Sequence, residues 1–202
     1  VITAGGCGGM VMFNDDGYLK RSLMFRDWGR IGDNIEEPSE RFNHSVDGIP
    51  YDWKFLYGVA GYHLKACEMN AAFGLVQLDK LEGFLKKRRE NIERYLENLK
   101  DCPYYTLPDD SQIPNWLAIP LQCPDRLEIV KFLEENDVQT RVTFAGNITR
   151  HPAFREYLGE FEIADTIMKD GFLLGAHHGL DIEDVDRVCN LLKTFAATKV
   201  NA

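Results

Sequence analysis

The residues best suited to chemistry fall in four places. The stretch VITAGGCGG (1–9) puts four glycines into five positions, directly ahead of an apolar run, GMVMFN (9–14). Glycine tolerates positive φ and lets a backbone approach a ligand closely; a tight bend between strands is the plainer alternative. A dinucleotide fingerprint needs its glycines after a strand and before a helix, whereas these precede the expected strand, and no Gly-Lys-Ser/Thr follows to make a phosphate loop. His63 and Lys65 stand two residues apart in GYHLK (61–65). Lys65 could supply positive charge to a phosphate or pyrophosphate, or be a surface lysine, and His63 reads as a helix-entry histidine. Asn147, Arg150 and His151 share the loop FAGNITRHP (144–152), where the planar fork of Arg150 suits a diphosphate. Arg141, on the strand before that loop, reads as structural. His177 and His178 are adjacent. On a strand they would point to opposite faces and could not readily chelate one metal.

The elements that must position these groups sit in a chain of 202 residues, 45% hydrophobic, with a formal net charge of −9 and a pI near 5.1. That is enough chain for a core, in one large domain or a compact domain plus part of another. The acidic balance argues against a nucleic-acid partner, because phosphate neutralisation needs a basic face. KKRR (86–89) is flanked by glutamates and reads as a solvated helix face. No apolar run approaches the roughly 20 residues of a membrane span. Five scattered cysteines without a CxxC pair fit a reduced cytosolic compartment better than disulfides or zinc.

Residues 9–14 read as a buried strand ended by the turn NDDG, and 18–27 as a helix stopped by Gly29. From 29 to 58 periodicity disappears while aromatics persist, so this excursion is expected to pack on something else, such as a partner subunit. Residues 66–101 carry the strongest helical period, through Leu81, Leu85, Arg88, Ile92, Tyr95 and Leu99, with Gly83 as a candidate bend or junction between two helices. Beyond Pro103, strands alternate with helices. Strands are expected at 104–107, 115–121, 138–144 and 172–176. Helices are expected from 125, at 152–158 and 160–170, and from an Asp181 cap with Asp184 in capping-box position. The stripe Val185, Val188, Cys189, Leu192 and Phe195 faces inward. The class is α/β: a long helix leading into a small α/β sandwich. Two parts are expected, residues 1–101 as the tail of a larger domain and 104–202 as a small complete one.

Taken in order, ITAGGCGGMVMFND, MFRDWGR (24–30), GYHLKACEMNAAFGLVQLDKL (61–81), TRVTFAGNITRHP (140–152) and FLLGAHHGL (172–180) resemble segments of the DegT/DnrJ/EryC1/StrS family. Its members are sugar-nucleotide aminotransferases and dehydrases using pyridoxal or pyridoxamine phosphate. The resemblance implies the C-terminal part of a type I aminotransferase fold, a homodimer and a nucleotide-sugar substrate. The later segments are similar to the 3-dehydrase branch, which makes 3-deoxy sugars for lipopolysaccharide. By the same resemblance the cofactor-bearing residue stands immediately before Val1, so this chain holds no catalytic residue. A lysine there would bond the cofactor covalently and serve amination. A histidine cannot, and would act as a base while the C3 hydroxyl leaves.

The resemblance further implies cofactor contacts from Thr3, Gly5, Gly6, His63 and Lys65, and substrate contacts from Asn147, Arg150 and His151. His63 replaces the asparagine that in the family reaches the cofactor phosphate of the neighbouring subunit, and His177-His178 stands where the dehydrases tend to carry Tyr-Pro. RDWGRIGDNIEEPSERF (26–42) has no cysteine, so neither an iron–sulfur cluster nor a metal is expected. Trp28, Arg30 and Arg41 there read as packing and ion-pair residues. Alone, the chain is expected to bind little or no cofactor and to associate through apolar surface. An aminotransferase, or a noncatalytic assembly module, is the alternative to the dehydrase.

Overall fold

A computed structural model of the chain describes residues 2–6, 8–32, 35–109, 111 and 115–200. It divides into two compact units, Ile2–Asp79 and Lys80–Ala202. The break falls some twenty residues before the expected boundary at 101–104. The reason is that the second half of the long helical segment buries its stripe in the C-terminal core.

In the first unit the expected strand at 9–14 forms no ladder; Met10, Val11 and Met12 are exposed. An apolar run becomes a strand only where a partner completes its hydrogen bonds. Helix α1 (Asp16–Arg26) starts earlier than expected, capped by the Asp15 carboxylate, which accepts from Tyr18 N at 3.0 Å. The 29–58 excursion folds on itself. A short helix α2 (Pro38–Arg41) precedes an antiparallel hairpin of β1 (His44–Val46) and β2 (Ile49–Tyr51). Its two-residue loop, Asp47-Gly48, has φ of 53° and 80°, the doubly left-handed pair of a type I′ turn. An Arg41–Asp52 ion pair and a His44–Trp53 ring stack at 3.5 Å hold the hairpin against the single 3₁₀ turn Trp53–Phe55. Helix α3 (Glu68–Asp79) follows with no buried residue; Met69, Phe73, Leu75, Val76 and Leu78 are exposed.

The second unit opens with α4 (Leu81–Leu99). The helix break lies at Lys80, while the candidate bend Gly83 sits inside α4. Arg88, Asn91, Ile92, Tyr95 and Leu99 are its buried face. Three antiparallel strands follow in the order β3-β5-β4: β3 (Ala118–Gln122), β4 (Thr140–Val142) and β5 (Gly171–Gly175). Register pairs Ile119 with Leu174 and Leu121 with Phe172, so these four share one face. That face builds the core with Ile129 and Leu133 of α5 (Arg126–Glu135) and Val185, Cys189 and Leu192 of α7 (Ile182–Val200). β3 is an edge strand and carries Pro120. The expected strand at 104–107 shrinks to one bridge, Thr106 to Gln122. Residues 152–157 form a 3₁₀ helix, and α6 spans Glu162–Asp170. The α7 cap is the expected box in part: Asp181 N donates to the Asp184 carboxylate at 3.0 Å.

Candidate functional site

In the first unit, two backbone segments cross at glycines. A methyl on Gly29 would land 1.9 Å from Val59 O, and one on Gly61 would land 2.2 Å from Gly29 N. Only glycine allows this approach. Four hydrogen bonds zip the crossing: Trp28 N to Tyr62 O (2.8 Å), Tyr62 N to Phe25 O (2.7 Å), Leu64 N to Arg26 O (3.0 Å) and Gly58 N to Gly29 O (2.8 Å). The result forces Trp28 into the left-handed region, at φ 62°.

Around that indole the crossing gathers cations. The His63 imidazole stacks on Trp28 at 4.5 Å with only 9° between the planes. The Arg30 guanidinium and Lys65 ammonium lie 4.9 and 5.4 Å from the Trp28 ring. Asp27, 2% exposed, takes a bidentate pair from Arg26 at 2.8 and 2.9 Å and lies 3.9 Å from Lys65. Asp27 thus balances part of the positive charge that Arg26 and Lys65 bring. His63 and Lys65 therefore both lie against the Trp28 ring, as does Arg30. In the glycine loop, Gly5 and Gly6 adopt φ of 71° and 124°, and Thr3 Oγ1 accepts from Gly5 N at 3.2 Å. Asn70 of α3 donates to Ala4 O at 2.6 Å, tying the loop to that helix. A positive φ and a backbone free of side chains are the features expected of a loop that approaches a ligand.

The second unit treats its loop differently. Asn147 is 2% exposed; its side chain accepts from Thr149 N and Oγ1 at 3.1 and 2.6 Å and donates to Asp165 at 2.8 Å. Arg150 forms a bidentate pair with the same Asp165. Arg150 first and Asn147 second hold the Asp165 carboxyl down to about 2. His151 Nε2 lies 2.9 Å from Ala145 O. These three side chains brace the loop; Asn147 is fully committed to that task, and Arg150 and His151 each have an internal partner.

His177 and His178 follow β5 rather than lying on it, so the strand argument about them does not apply. His177 is exposed, while His178 stacks on Phe84 at 3.7 Å, where burial and then Arg88 push its pKa down. Among the described residues no group of three or more His, Cys, Asp or Glu could hold a metal ion. No described helix is long and apolar enough to cross a membrane.

The sequence pattern of the DegT/DnrJ/EryC1/StrS aminotransferase family matches residues 1–193. The chain belongs to that family. One relative, the lipopolysaccharide biosynthesis protein RfbH of Salmonella typhimurium, is 35% identical over 94% of this chain and 48% of its own. The dTDP-4-dehydro-2,6-dideoxy-D-glucose 3-dehydratase of Saccharopolyspora spinosa is 32% identical over 95% and 45%. A solved structure of E. coli GDP-4-keto-6-deoxy-D-mannose-3-dehydratase with bound hydrated PLP superposes with a TM-score of 0.75 at 21% identity, over 90% of this chain and 49% of that one. The fold is that of the PLP-dependent aminotransferases, and the chain spans about half the length of the relatives it matches. The donors around Trp28, the Arg30 guanidinium, the Lys65 ammonium and the His63 imidazole, are of the kinds that hold the phosphate of such a cofactor.

Proposed function

We propose that the chain is the C-terminal portion of a pyridoxamine- or pyridoxal-phosphate-dependent sugar-nucleotide 3-dehydrase. It would remove the C3 hydroxyl of a 4-keto-6-deoxy nucleotide sugar for lipopolysaccharide, in the cytoplasm and as a homodimer. The observation that carries the reading is the gathering of Arg30, His63 and Lys65 on the Trp28 ring, in a chain whose relatives include RfbH and a 3-dehydratase. The cofactor, when bound, supplies the electron sink for bond breaking beside the sugar carbonyl. This chain's part is to hold it. Lys65 and Arg30 would take phosphate oxygens as charged donors. His63 would stand in for an amide donor, and Thr3, Gly5 and Gly6 would bring backbone close to the ring. In the second unit, the loop of Asn147, Arg150 and His151 would contact the nucleotide sugar.

The deciding residue would be the one encoded immediately before Val1. Histidine there, with loss of water from a 4-keto-6-deoxy nucleotide sugar when the longer protein is supplied with pyridoxamine phosphate, is the expected result. Lysine with amino transfer would replace the reading by the aminotransferase that the family name allows. Neither residue, with no turnover of either kind, would leave an assembly module. A second check is cofactor affinity. Lys65→Ala in the longer protein removes one charge-assisted contact, and should weaken pyridoxal phosphate binding by roughly tenfold or more.

A further inference from the structure

Phe84, Arg88 and Asn91 stand at i, i+4 and i+7 of α4, so they share one face of the helix. That face meets the turn that leaves β5, residues 176–181. The Phe84 ring stacks on His178 at 3.7 Å with 15° between the planes. The Asn91 side chain, fully buried, donates to His177 O at 2.9 Å and to Leu180 O at 3.4 Å. Arg88 is buried and close enough to act on the charge of His178. Lys87, beside it on α4, reaches Asp181 at 3.9 Å.

This arrangement is hostile to a proton on His178. Its Nδ1 is cut off from solvent and has no hydrogen-bond partner among the described residues. A neutral imidazole tolerates that at modest cost, whereas an imidazolium would be left with an unpaired N–H there. Arg88 from α4 and His177 on the same turn both oppose a further positive charge. The Asp181 carboxylate of the turn is engaged with Lys87, and that of Asp184 in α7 with Asp181 N. The face of Phe84 would attract an imidazolium, yet burial first, then Arg88 and His177, carry the balance, and His178 titrates below the ordinary histidine value. Released to water, the ring recovers a value near 6.5. A proton therefore binds the free turn better than the docked one. Docking is complete above about pH 6.5 and weakens as pH falls through the lowered value.

We propose that His178 is a proton-operated latch: neutral, it keeps residues 176–181 docked on α4, and protonated, it leaves Phe84 and Arg88 and lets the turn lift away from Asn91. His177 and Leu180 border a cavity of about 440 Å³ beside β5, so release of the turn opens one wall of that cavity. The latch needs no part of the sugar-nucleotide reading above.

The test is NMR of the full chain between about pH 8 and about pH 5. Histidine ring carbons follow the titration of His178, and hydrogen-exchange protection of the Asn91 side-chain amide reports docking. That protection, corrected for the intrinsic exchange rate, should be level above about pH 6.5, fall by up to about tenfold per pH unit below it, and level off once His178 has titrated. Backbone amides of Leu174 and Val185, in the core, should keep theirs, because only the turn is released. His178→Phe keeps a ring on Phe84 but takes no proton, so its Asn91 protection should not vary over this range. Phe84→Ala removes the stack, so Asn91 should lose protection at every pH and His178 should titrate near the ordinary value of about 6.5. In the unaltered chain, titration of His178 at or above about 6.5, or Asn91 protection that ignores that titration, would overturn the latch. So would a parallel loss of protection at Leu174 and Val185, or a pH dependence that survives His178→Phe.

Discussion

Replacing Gly29 by alanine tests the crossing that builds the cation cluster. The new methyl would lie 1.9 Å from Val59 O, where ordinary contact begins near 3.4 Å, so a backbone carbonyl must retreat by more than an ångström. That retreat breaks at least two of the crossing bonds, Trp28 N to Tyr62 O and Gly58 N to Gly29 O. Each is worth about 1 kcal/mol. The φ of 94° adds about 1–2 kcal/mol for an L residue. The expected cost is therefore about 3–4 kcal/mol. Gly48 is the matched control: its φ is 80° but nothing lies within 4 Å of a methyl there, so Gly48→Ala carries only the dihedral cost of about 1 kcal/mol. The difference of about 2 kcal/mol is roughly thirtyfold in the unfolding constant. Trp28 and Trp53 both belong to the first unit, so urea unfolding followed by tryptophan fluorescence in a Trp116→Phe background reads that unit. If the two variants unfolded within about 0.5 kcal/mol of each other, steric closure at Gly29 would be refuted.

Two further outcomes follow from the second unit. Arg94 and then Asn98 hold the Asp186 carboxyl at about 2, below its ordinary 3.8. A depressed folded value gives stability that is complete above the unfolded value and lost as pH falls toward 2. Asp186→Asn should therefore flatten the loss of stability between about pH 4 and pH 2, measured by circular dichroism melts across that range; an unchanged acid limb would show the pair to be idle. Burial pushes the Cys123 and Cys189 thiols up to about 11, whereas Cys67 is exposed. Iodoacetamide at pH 8 should modify Cys67 in the native chain and reach Cys123 and Cys189 only after unfolding, as read by peptide mass spectrometry.

The second unit was the more legible in the residues. The α7 stripe is a local pattern of period 3.6 and stands as expected, and the Asp181–Asp184 cap, of spacing three, does so in part. So does Arg88 on the inner face of α4, which periodicity placed against its chemical type. Asp47-Gly48 is itself a strong short-range hairpin signal, yet the hairpin was not expected. The flanking residues His44, Ser45 and Pro50 do not alternate in polarity, and no described strand residue there is buried. The helix break at Lys80 has no glycine or proline to announce it. In the site, the His63–Lys65 spacing was readable, but the stack of His63 on Trp28 joins residues 35 positions apart and leaves no periodic trace. The same holds for Asp165, whose pairing with Arg150 joins residues 15 positions apart.

Pro120 gives β3 a property that the rest of the sheet lacks. Gln122 exchanges both backbone bonds with Thr106 on the outer side of β3, so Pro120, two residues earlier, aims its backbone the same way but has no N–H to offer. An incoming strand, including one from a misfolded neighbour, would meet a missing rung at that point. The border therefore resists growth by recruitment, which protects a chain that exposes many apolar side chains from assembling into fibrils along this margin.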